Sequence, residues 1–301
     1  MFAPSAVSDF SFGSDASGCA DATSAAPDVA VASPADFSRI GLIGFGAFGR
    51  LIARYAPAGV RLLAHDAAPE AADAYPPASC SLSPVSLAEA ASCPLVVLAA
   101  PVAATATICR QIAPWLRPGT LVVDVGSVKV QPVADMVANL PAHVEIAGLH
   151  PLFGPQSAAD GLAGLRLVVC PVRGRRVFRL AALLKAGFGL ETQFATPDEH
   201  DREMAMVQGV THMVARLVAS LDERPTRMAT RSYALLMQAV DMVRRDNPAV
   251  FDAIALRNPF VAGVQEQFFE AAVALRDDLA ARRAALTDVE PQPCARVAAA
   301  S

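Results

Sequence analysis

Residues 39–55 read RIGLIGFGAFGRLIARY and decide the fold of the chain. The apolar run 40–43 predicts a buried strand. Three glycines follow at once with the spacing G-x-G-x-x-G (44–49), and apolar residues then recur at helical spacing over 51–55. Glycine permits a tight turn from strand to helix and lets backbone N–H groups approach a pyrophosphate, which the helix N-terminus also attracts. The stretch therefore predicts a dinucleotide-binding site.

The end of the second predicted strand supplies an acid for ribose binding. Residues 60–64 read as this strand, and Asp66 lies 22 residues beyond Gly44. An acid near this spacing accepts hydrogen bonds from an adenosine ribose, and its charge repels the extra phosphate of NADP. The alternative is a solvated acid at a strand end. We expect NAD rather than NADP as the cofactor.

The other cofactor contacts are expected where strands end, because parallel sheets bind ligands at the carboxyl ends of their strands. A fully apolar strand is predicted over 95–99. The predicted cofactor-binding residues of this edge are Gly44, Phe45, Gly46, Ala47, Phe48, Gly49, Asp66, Ala100 and Pro101.

Composition narrows the class of protein. A chain of 301 residues suits two domains. The net charge of −4, without a basic tract, argues against nucleic acid as a partner. No apolar run reaches the ~18 residues that a membrane span needs, so no membrane partner is expected. The six cysteines form no C-x-x-C pair, which favours a reduced, cytoplasmic protein without a metal site.

The pattern of elements predicts two domains. Strands and helices alternate over 38–195, which predicts an α/β Rossmann domain with a doubly wound parallel sheet. Residues 196–286 show only helical patterns and predict an all-helical domain, beginning with the helix start Thr-Pro-Asp-Glu. Residues 1–37 lack Lys and Arg and predict a disordered leader, and 287–301 predict a flexible tail.

Two turns at the ligand edge contain polar residues. They are DVGSVK (124–129) and LHPLFGPQS (149–157). His150 closes a predicted strand, and the Pro and Gly residues after it make a rigid turn. A single His in a strand is often only a packed residue, and that alternative stays open. Its place at the ligand edge favours a catalytic role.

Five segments together resemble the prephenate/arogenate dehydrogenase family. In chain order they are GFGAFG (44–49), Asp66, DVGSVK (124–129), LHPLFGP (149–155) and a His-Asp…Gln…Thr-His segment (200–212). The segments HPLFGPQS (150–157) and QGVTHMVAR (208–216) most resemble the corresponding segments of plant-type arogenate dehydrogenases and of bacterial enzymes close to them. The resemblance covers about residues 39–285.

The resemblance implies an activity. Members carry out NAD(P)-dependent oxidative decarboxylation of prephenate or arogenate in tyrosine biosynthesis, and they form homodimers through the helical domain. His150 matches the base that takes the proton of the ring C4 hydroxyl while hydride leaves C4. Ser127 would orient the imidazole or the hydroxyl and would also touch the nicotinamide.

The helical domain is expected to hold the substrate. His212 matches the family's second histidine, and Gln208 lies one helical turn before it on the same face. Arginine suits the substrate carboxylates because it binds them bidentately. Arg216 continues this face, and Arg231 begins the next predicted helix. The alternative is a histidine hydrogen-bonded within the bundle, with solvated arginines.

The sequence leaves the choice of substrate open. Prephenate and arogenate differ only in the side chain, which is a pyruvyl group in one and an amino acid in the other. An acid near this side chain would favour the ammonium of arogenate. The turn after His150 offers neutral Gln156 and, four residues later, Asp160.

Two other classes of function compete with this interpretation. β-Hydroxyacid dehydrogenases and imine reductases also join a Rossmann domain to a helical one. The hydroxyacid class needs a catalytic lysine on the helical domain, and the last lysine of this chain is Lys185. A redox sensor that binds NAD without turnover would have no use for His150, Ser127 and His212 together.

Overall fold

A computed structural model of the chain describes residues 37–68, 80–221 and 227–287. The predicted leader, save Phe37, lies outside these ranges. So does the predicted tail after Thr287.

Eight strands of the described chain form one sheet. They are β1 Arg39–Ile43, β2 Arg61–His65, β3 Ser81–Pro84, β4 Leu95–Leu98, β5 Leu121–Asp124, β6 Glu145–Pro151, β7 Arg166–Arg173 and β8 Glu191–Phe194. Their order across the sheet is β3-β2-β1-β4-β5-β6-β7-β8, and the strands from β3 to β6 are parallel. The strand order reverses between β1 and β4, which opens a crevice at their carboxyl ends. The predicted Rossmann sheet is confirmed.

Two strands, β7 and β8, depart from the expected parallel arrangement. β7 pairs with β6 in the antiparallel sense, while β8 is parallel to β7. A parallel pair needs a crossover of a dozen or more residues, usually a helix. The loop between β6 and β7 contains no helix and reverses the chain, whereas a helix connects β7 to β8. The expectation of an entirely parallel sheet was wrong at this one pair.

Helices cover both faces of the sheet. They are α1 Ala47–Tyr55, α2 Leu87–Ala91, α3 Thr105–Ile112, α4 Val130–Asn139 and α5 Arg176–Phe188. Buried side chains of α1 and α5 pack on one face, and those of α2, α3 and α4 on the other. The strands alternate accordingly: Leu121 and Val123 face the first layer, and Val122 between them faces the second.

The rest of the described chain is helical, as predicted. It contains α6 Pro197–Ala219, α7 Arg231–Arg244, α8 Pro248–Asp252, a short π-helix Ala253–Arg257 and α9 Val261–Thr287. A capping box of Thr196 and Glu199 begins α6 and fixes its first turn. α6 packs against α7 and α9. Within the described ranges, no helix is long and apolar enough to cross a bilayer.

Candidate functional site

The turn between β1 and α1 requires glycine at two of its three motif positions. Gly44 has a φ of +101°, and a Cβ there would lie 2.6 Å from the carbonyl carbon of Ala99. A Cβ on Gly49 would overlap the carbonyl oxygen of Gly44. A Cβ on Gly46 would meet nothing within 4 Å. The space over the turn is therefore open where a pyrophosphate would approach.

Asp66 faces this turn from the end of β2. Its Oδ2 accepts a hydrogen bond of 2.5 Å from the backbone N–H of Phe45, and its Oδ1 accepts one of 2.9 Å from Ala68. Ala100 flanks the turn on the other side, since its nitrogen would lie 2.8 Å from a Cβ on Gly44. The structure thus brings the predicted ribose acid, the glycine turn and the end of β4 to one edge.

The remaining predicted cofactor residues differ in accessibility. The side chain of Phe45 is buried in the core, so it can contact a cofactor only through its backbone. Ala47 and Pro101 are exposed, and Phe48 is half-buried against Phe153, with ring centroids 6.4 Å apart. No side chain caps the N-terminus of α1. Its end therefore remains suited to an anion.

His150 lies near the carboxyl end of β6 and is only 3% exposed. Its Nδ1 lies 2.7 Å from Nε2 of His200, and the two rings meet edge to face with centroids 4.9 Å apart. Nδ1 of His200 lies 2.7 Å from Oδ1 of Asp201. A buried chain of carboxylate, imidazole and imidazole therefore runs from the start of α6 to the sheet edge.

Asp201 also ties α6 to the sheet. Its Oδ1 accepts a hydrogen bond of 2.7 Å from the N–H of Lys129, and its Oδ2 accepts one of 2.9 Å from Val130. These N–H groups begin α4, which has no cap from its own N-cap side chain. The side chain of Asn258 donates to the backbone carbonyl of Asp201 at 2.7 Å. Asp201 therefore joins three segments of the chain.

A buried lysine holds the strand that carries His150. The ammonium of Lys129 donates to the carboxylate of Asp124 and, at 2.7 Å, to the carbonyl of Leu149. Room for this side chain exists because position 148 is glycine; a Cβ there would lie 2.8 Å from Cδ of Lys129. The DVGSVK turn thus supports the backbone immediately before His150.

Gln208 and His212 face the same region from α6. Nε2 of Gln208 lies 3.4 Å from Nε2 of His150. Oε1 of Gln208 and Nδ1 of His212 are buried and have no hydrogen-bond partner among the described residues. A buried polar atom without a partner is costly, so these two atoms are suited to a polar ligand.

A pocket of about 280 Å³ opens beside His212. Its lining residues include Ala215, Ala219, Val243, Arg244, Asp246, Asn247 and Pro248. The guanidinium of Arg216 also lines the pocket and lies 3.9 Å from the ring centroid of Phe251. Arg231 does not line it: this exposed residue is at the opposite end of α7 from Arg244, about 20 Å away at 1.5 Å per helical residue.

Ser127 is half-buried in the loop after β5. Within the described chain the hydrogen-bond partners of His150 are His200 and Gln208. The predicted contact of Ser127 with the imidazole is therefore absent from the described residues, and its contact with a substrate or cofactor stays a prediction.

Two family models match the chain in sequence order. "Prephenate dehydrogenase, nucleotide-binding domain" matches residues 54–184, and "Prephenate dehydrogenase, dimerization domain" matches residues 196–285. The chain belongs to the prephenate dehydrogenase family.

Two plant arogenate dehydrogenases are similar in sequence to this chain. Arogenate dehydrogenase 1, chloroplastic, of Arabidopsis thaliana is 32% identical over 173 residues, which are 56% of this chain and 27% of the plant protein. Arogenate dehydrogenase 2, chloroplastic, of the same plant is 28% identical over 235 residues, 73% of this chain and 64% of the relative. The chain thus spans less than two thirds of the length of either.

A solved structure shares the fold. The crystal structure of prephenate dehydrogenase from A. aeolicus in complex with hydroxyphenyl propionate and NAD+ is 22% identical in sequence to this chain. The two superpose with a TM-score of 0.63, over 82% of this chain and 91% of that one.

In this member of the prephenate dehydrogenase family, the surroundings of His150 favour a neutral imidazole. Burial lowers the pKa of His150 well below its ordinary value of 6.5, and its two basic neighbours, His200 and Lys129, lower it further. Burial, and then Arg216, lower the pKa of His212 as well. Both rings are therefore neutral at physiological pH, as a base requires.

Sequence reasoning gave no role to three residues that the structure places at the site. His200 and Asp201 lie within the family-like segment, but their contact with His150 spans 50 residues and no periodicity indicates it. Asp246 ends the turn after α7 and reaches the pocket only through tertiary packing. Across the described ranges, no cluster of three His, Cys, Asp or Glu residues suits a metal ion.

Proposed function

We propose that the chain is an NAD-dependent dehydrogenase of tyrosine biosynthesis that oxidatively decarboxylates arogenate or prephenate. The observation that carries this proposal is the buried imidazole of His150 at the ligand edge of the sheet, with Nε2 on the side of Gln208. Membership of the prephenate dehydrogenase family supports it.

The residues at the sheet edge suit NAD. Gly44 permits the tight turn, Gly46 leaves space for a pyrophosphate over it, and Asp66 presents a carboxylate that can bind the ribose hydroxyls. The same charge disfavours the extra phosphate of NADP. When bound, NAD would accept the hydride that leaves C4 of the ring.

The chain's own residues supply the acid–base chemistry. Nε2 of His150 takes the proton of the C4 hydroxyl as hydride leaves C4. The ring carboxylate then departs as carbon dioxide, and the ring becomes aromatic. The phenolate oxygen recovers the proton from His150, so that no net proton is released. A positioned base of this kind contributes about 10²–10⁴-fold to the rate.

The pocket beside His212 suits the substrate's side chain. Gln208 and His212 are one helical turn, about 6 Å, apart. This spacing would allow a six-membered ring to lie beside Gln208 with its side chain near His212. Their unpartnered buried atoms would then gain hydrogen bonds. Arg216, held over Phe251, would bind a carboxylate.

Asp246 favours arogenate over prephenate within this proposal. Its carboxylate lines the same pocket as Arg216 and His212. Asp246 is an exposed residue whose pKa is raised above its ordinary value by partial loss of hydration, and a cationic partner would stabilise its charged form. Arogenate carries an ammonium on its side chain and prephenate does not.

The helical part is also proposed to form a homodimer. Large apolar side chains along α9 are exposed, among them Phe269, Val273, Leu275 and Leu279. Such a surface is typical of an interface, and the matching family model is named a dimerization domain. We extend the proposal to a cytoplasmic location, with which the free thiols of Cys80, Cys93, Cys109 and Cys170 are consistent.

Absorbance of NADH tests the activity. Wild-type protein is assayed with arogenate and with prephenate, each with NAD and with NADP. We expect NADH with NAD, and a higher kcat/KM for arogenate than for prephenate. No reduced cofactor from any of the four pairs would leave a nucleotide-binding protein without this activity.

Asp246→Asn tests the substrate preference. The isosteric amide removes the charge, so we expect kcat/KM for arogenate to fall by about tenfold, equivalent to about 1.4 kcal/mol, while that for prephenate holds or rises. Asp241→Asn, an exposed position on α7 outside the pocket lining, is the matched control. An equal loss of kcat/KM for both substrates would show that Asp246 does not bind the ammonium of arogenate.

A further inference from the structure

The hydrogen bonds from Asp201 to His150 have one consistent direction when each of the two imidazoles carries a single proton. An ionised carboxylate only accepts, so Nδ1 of His200 carries a proton and donates it to Asp201. When His200 carries this one proton only, its Nε2 has a lone pair. Because it lies 2.7 Å from Nδ1 of His150, that nitrogen of His150 must donate. The remaining nitrogen of His150, Nε2, is left without a proton.

We propose that His200 and Asp201 are positioning residues that fix His150 in the tautomer with its proton on Nδ1 and that stabilise the positive charge formed when Nε2 takes the substrate's proton. This inference rests on the proposed function, in which His150 is the base. The proton moves from the C4 hydroxyl to Nε2 and returns to the same oxygen after carbon dioxide leaves. The transient charge is shared along a chain that ends in a carboxylate.

The fold provides this arrangement across two parts of the molecule. His150 belongs to the sheet, whereas His200 lies in the first turn of α6, where its N–H donates to the carbonyl of Thr196 at 3.0 Å. Asp201 is completely buried and is held by the N–H groups that begin α4. The correct tautomer of the base therefore depends on α6 lying against the sheet.

Other charged groups near His150 cannot replace this pair. Lys129 lies close enough for its charge to act on the imidazole, but its ammonium is bound by Asp124 and by the carbonyl of Leu149. It repels a positive charge on His150. Of the carboxylates of Asp124 and Asp201, only that of Asp201 is linked to His150 by hydrogen bonds of the described residues, through His200.

The tautomer can be observed directly by ¹⁵N NMR of the histidine side chains in the full chain with NAD bound. We expect the protonated nitrogen of neutral His150 to be Nδ1. His200→Gln offers an amide oxygen that can accept from Nδ1 and should keep this tautomer. His200→Leu removes the acceptor and should shift the population toward Nε2–H. An Nε2–H tautomer in the wild type would overturn the proposal without any variant.

Kinetics provide the second readout. We expect kcat of His200→Leu to fall by up to about 10²-fold, the lower end of what a positioned base contributes, with the KM for NAD unchanged and with most of the rate restored in His200→Gln. His143→Gln is the control, because His143 is an exposed histidine whose Nε2 lies 3.2 Å from the carbonyl oxygen of Leu116. Wild-type kcat in His200→Leu would contradict the proposal. The tautomer needs no turnover, so a wild type that makes no NADH would refute the proposed function separately.

Discussion

The two halves of the site are built in different ways. At the cofactor edge, the decisive features are backbone ones: the positive φ of Gly44, the close contact of Gly49, and the N–H groups at the start of α1. On the helical side, the decisive features are side chains that α6 presents from a long helix, such as His200, Gln208 and His212. The cofactor edge should therefore be sensitive to added side-chain atoms, and the helical side to the loss of functional groups.

The largest effect should come from removing the base. His150→Asn should lower kcat by about 10²–10⁴-fold, because the amide cannot accept the hydroxyl proton, while the affinity for NAD stays unchanged. Steady-state kinetics and a separate NAD titration check this. His143→Asn serves as the control, since it removes an exposed histidine outside the site. A kcat within a factor of a few of wild type would exclude His150 as the base.

Alanine substitutions at the glycine turn should distinguish backbone strain, which lowers stability, from steric obstruction of NAD binding. Gly44→Ala places a side chain at a φ of +101° against Ala99, so it should cost about 1–3 kcal/mol of stability and also weaken NAD binding. Gly46→Ala has an ordinary φ of −69° and free space. It should keep the stability and reduce only NAD binding. Chemical denaturation and NAD titration measure the two quantities, and equal stability of both variants would contradict the account of Gly44.

Asp66→Asn should change the cofactor preference moderately. Removal of the carboxylate at the end of β2 lowers the repulsion of a 2′-phosphate, so the ratio of kcat/KM for NAD to that for NADP should fall by about tenfold, or about 1.4 kcal/mol. Asp160→Asn, beyond the turn after His150, is a suitable control. An unchanged ratio would show that Asp66 has no contact with the ribose.

The smallest effect should be on the pH dependence of stability. The pKa values of His150 and His212 are lowered in the folded state, first by burial. The unfolded chain then binds more protons once the pH falls below the ordinary value of 6.5. Their contribution to stability is thus complete above that pH and is lost as the pH falls toward the folded values. Urea unfolding should show this loss, with a shallower slope in His150→Asn; an equal slope would contradict it.

The comparison also explains what the sequence could predict. The glycine turn, β1, β2, β4 and the start of α6 follow from local rules, because short-range sterics and capping determine them. Three elements, β3, α2 and α4, were not predicted. α4 begins at Val130, and its N-cap residue supplies no capping side chain. Its first N–H groups instead donate hydrogen bonds to Asp201, which is 71 residues away from Val130. No local pattern contains that information.

The site shows the same division. His150 could be predicted as a candidate because it lies at a strand end on the ligand edge, whereas His212, and Gln208 one turn before it, were predicted through the resemblance to the family. The contacts of His200 and Asp246 arise only when α6 and α7 meet the rest of the fold. Arg231 was predicted from its place at a helix start, yet the pocket is lined by Arg244 at the other end of that helix. The predicted domain boundary at residue 195 stays a prediction.

The most direct test is to identify the products of one reaction. Purified wild-type protein is mixed with arogenate and NAD, and NADH, carbon dioxide and the aromatic product are measured in the same sample. The account predicts NADH, carbon dioxide and tyrosine in equal amounts. His150→Asn should form all three about 10²–10⁴-fold more slowly than the wild type. NADH without carbon dioxide, or no product with either arogenate or prephenate, would contradict it.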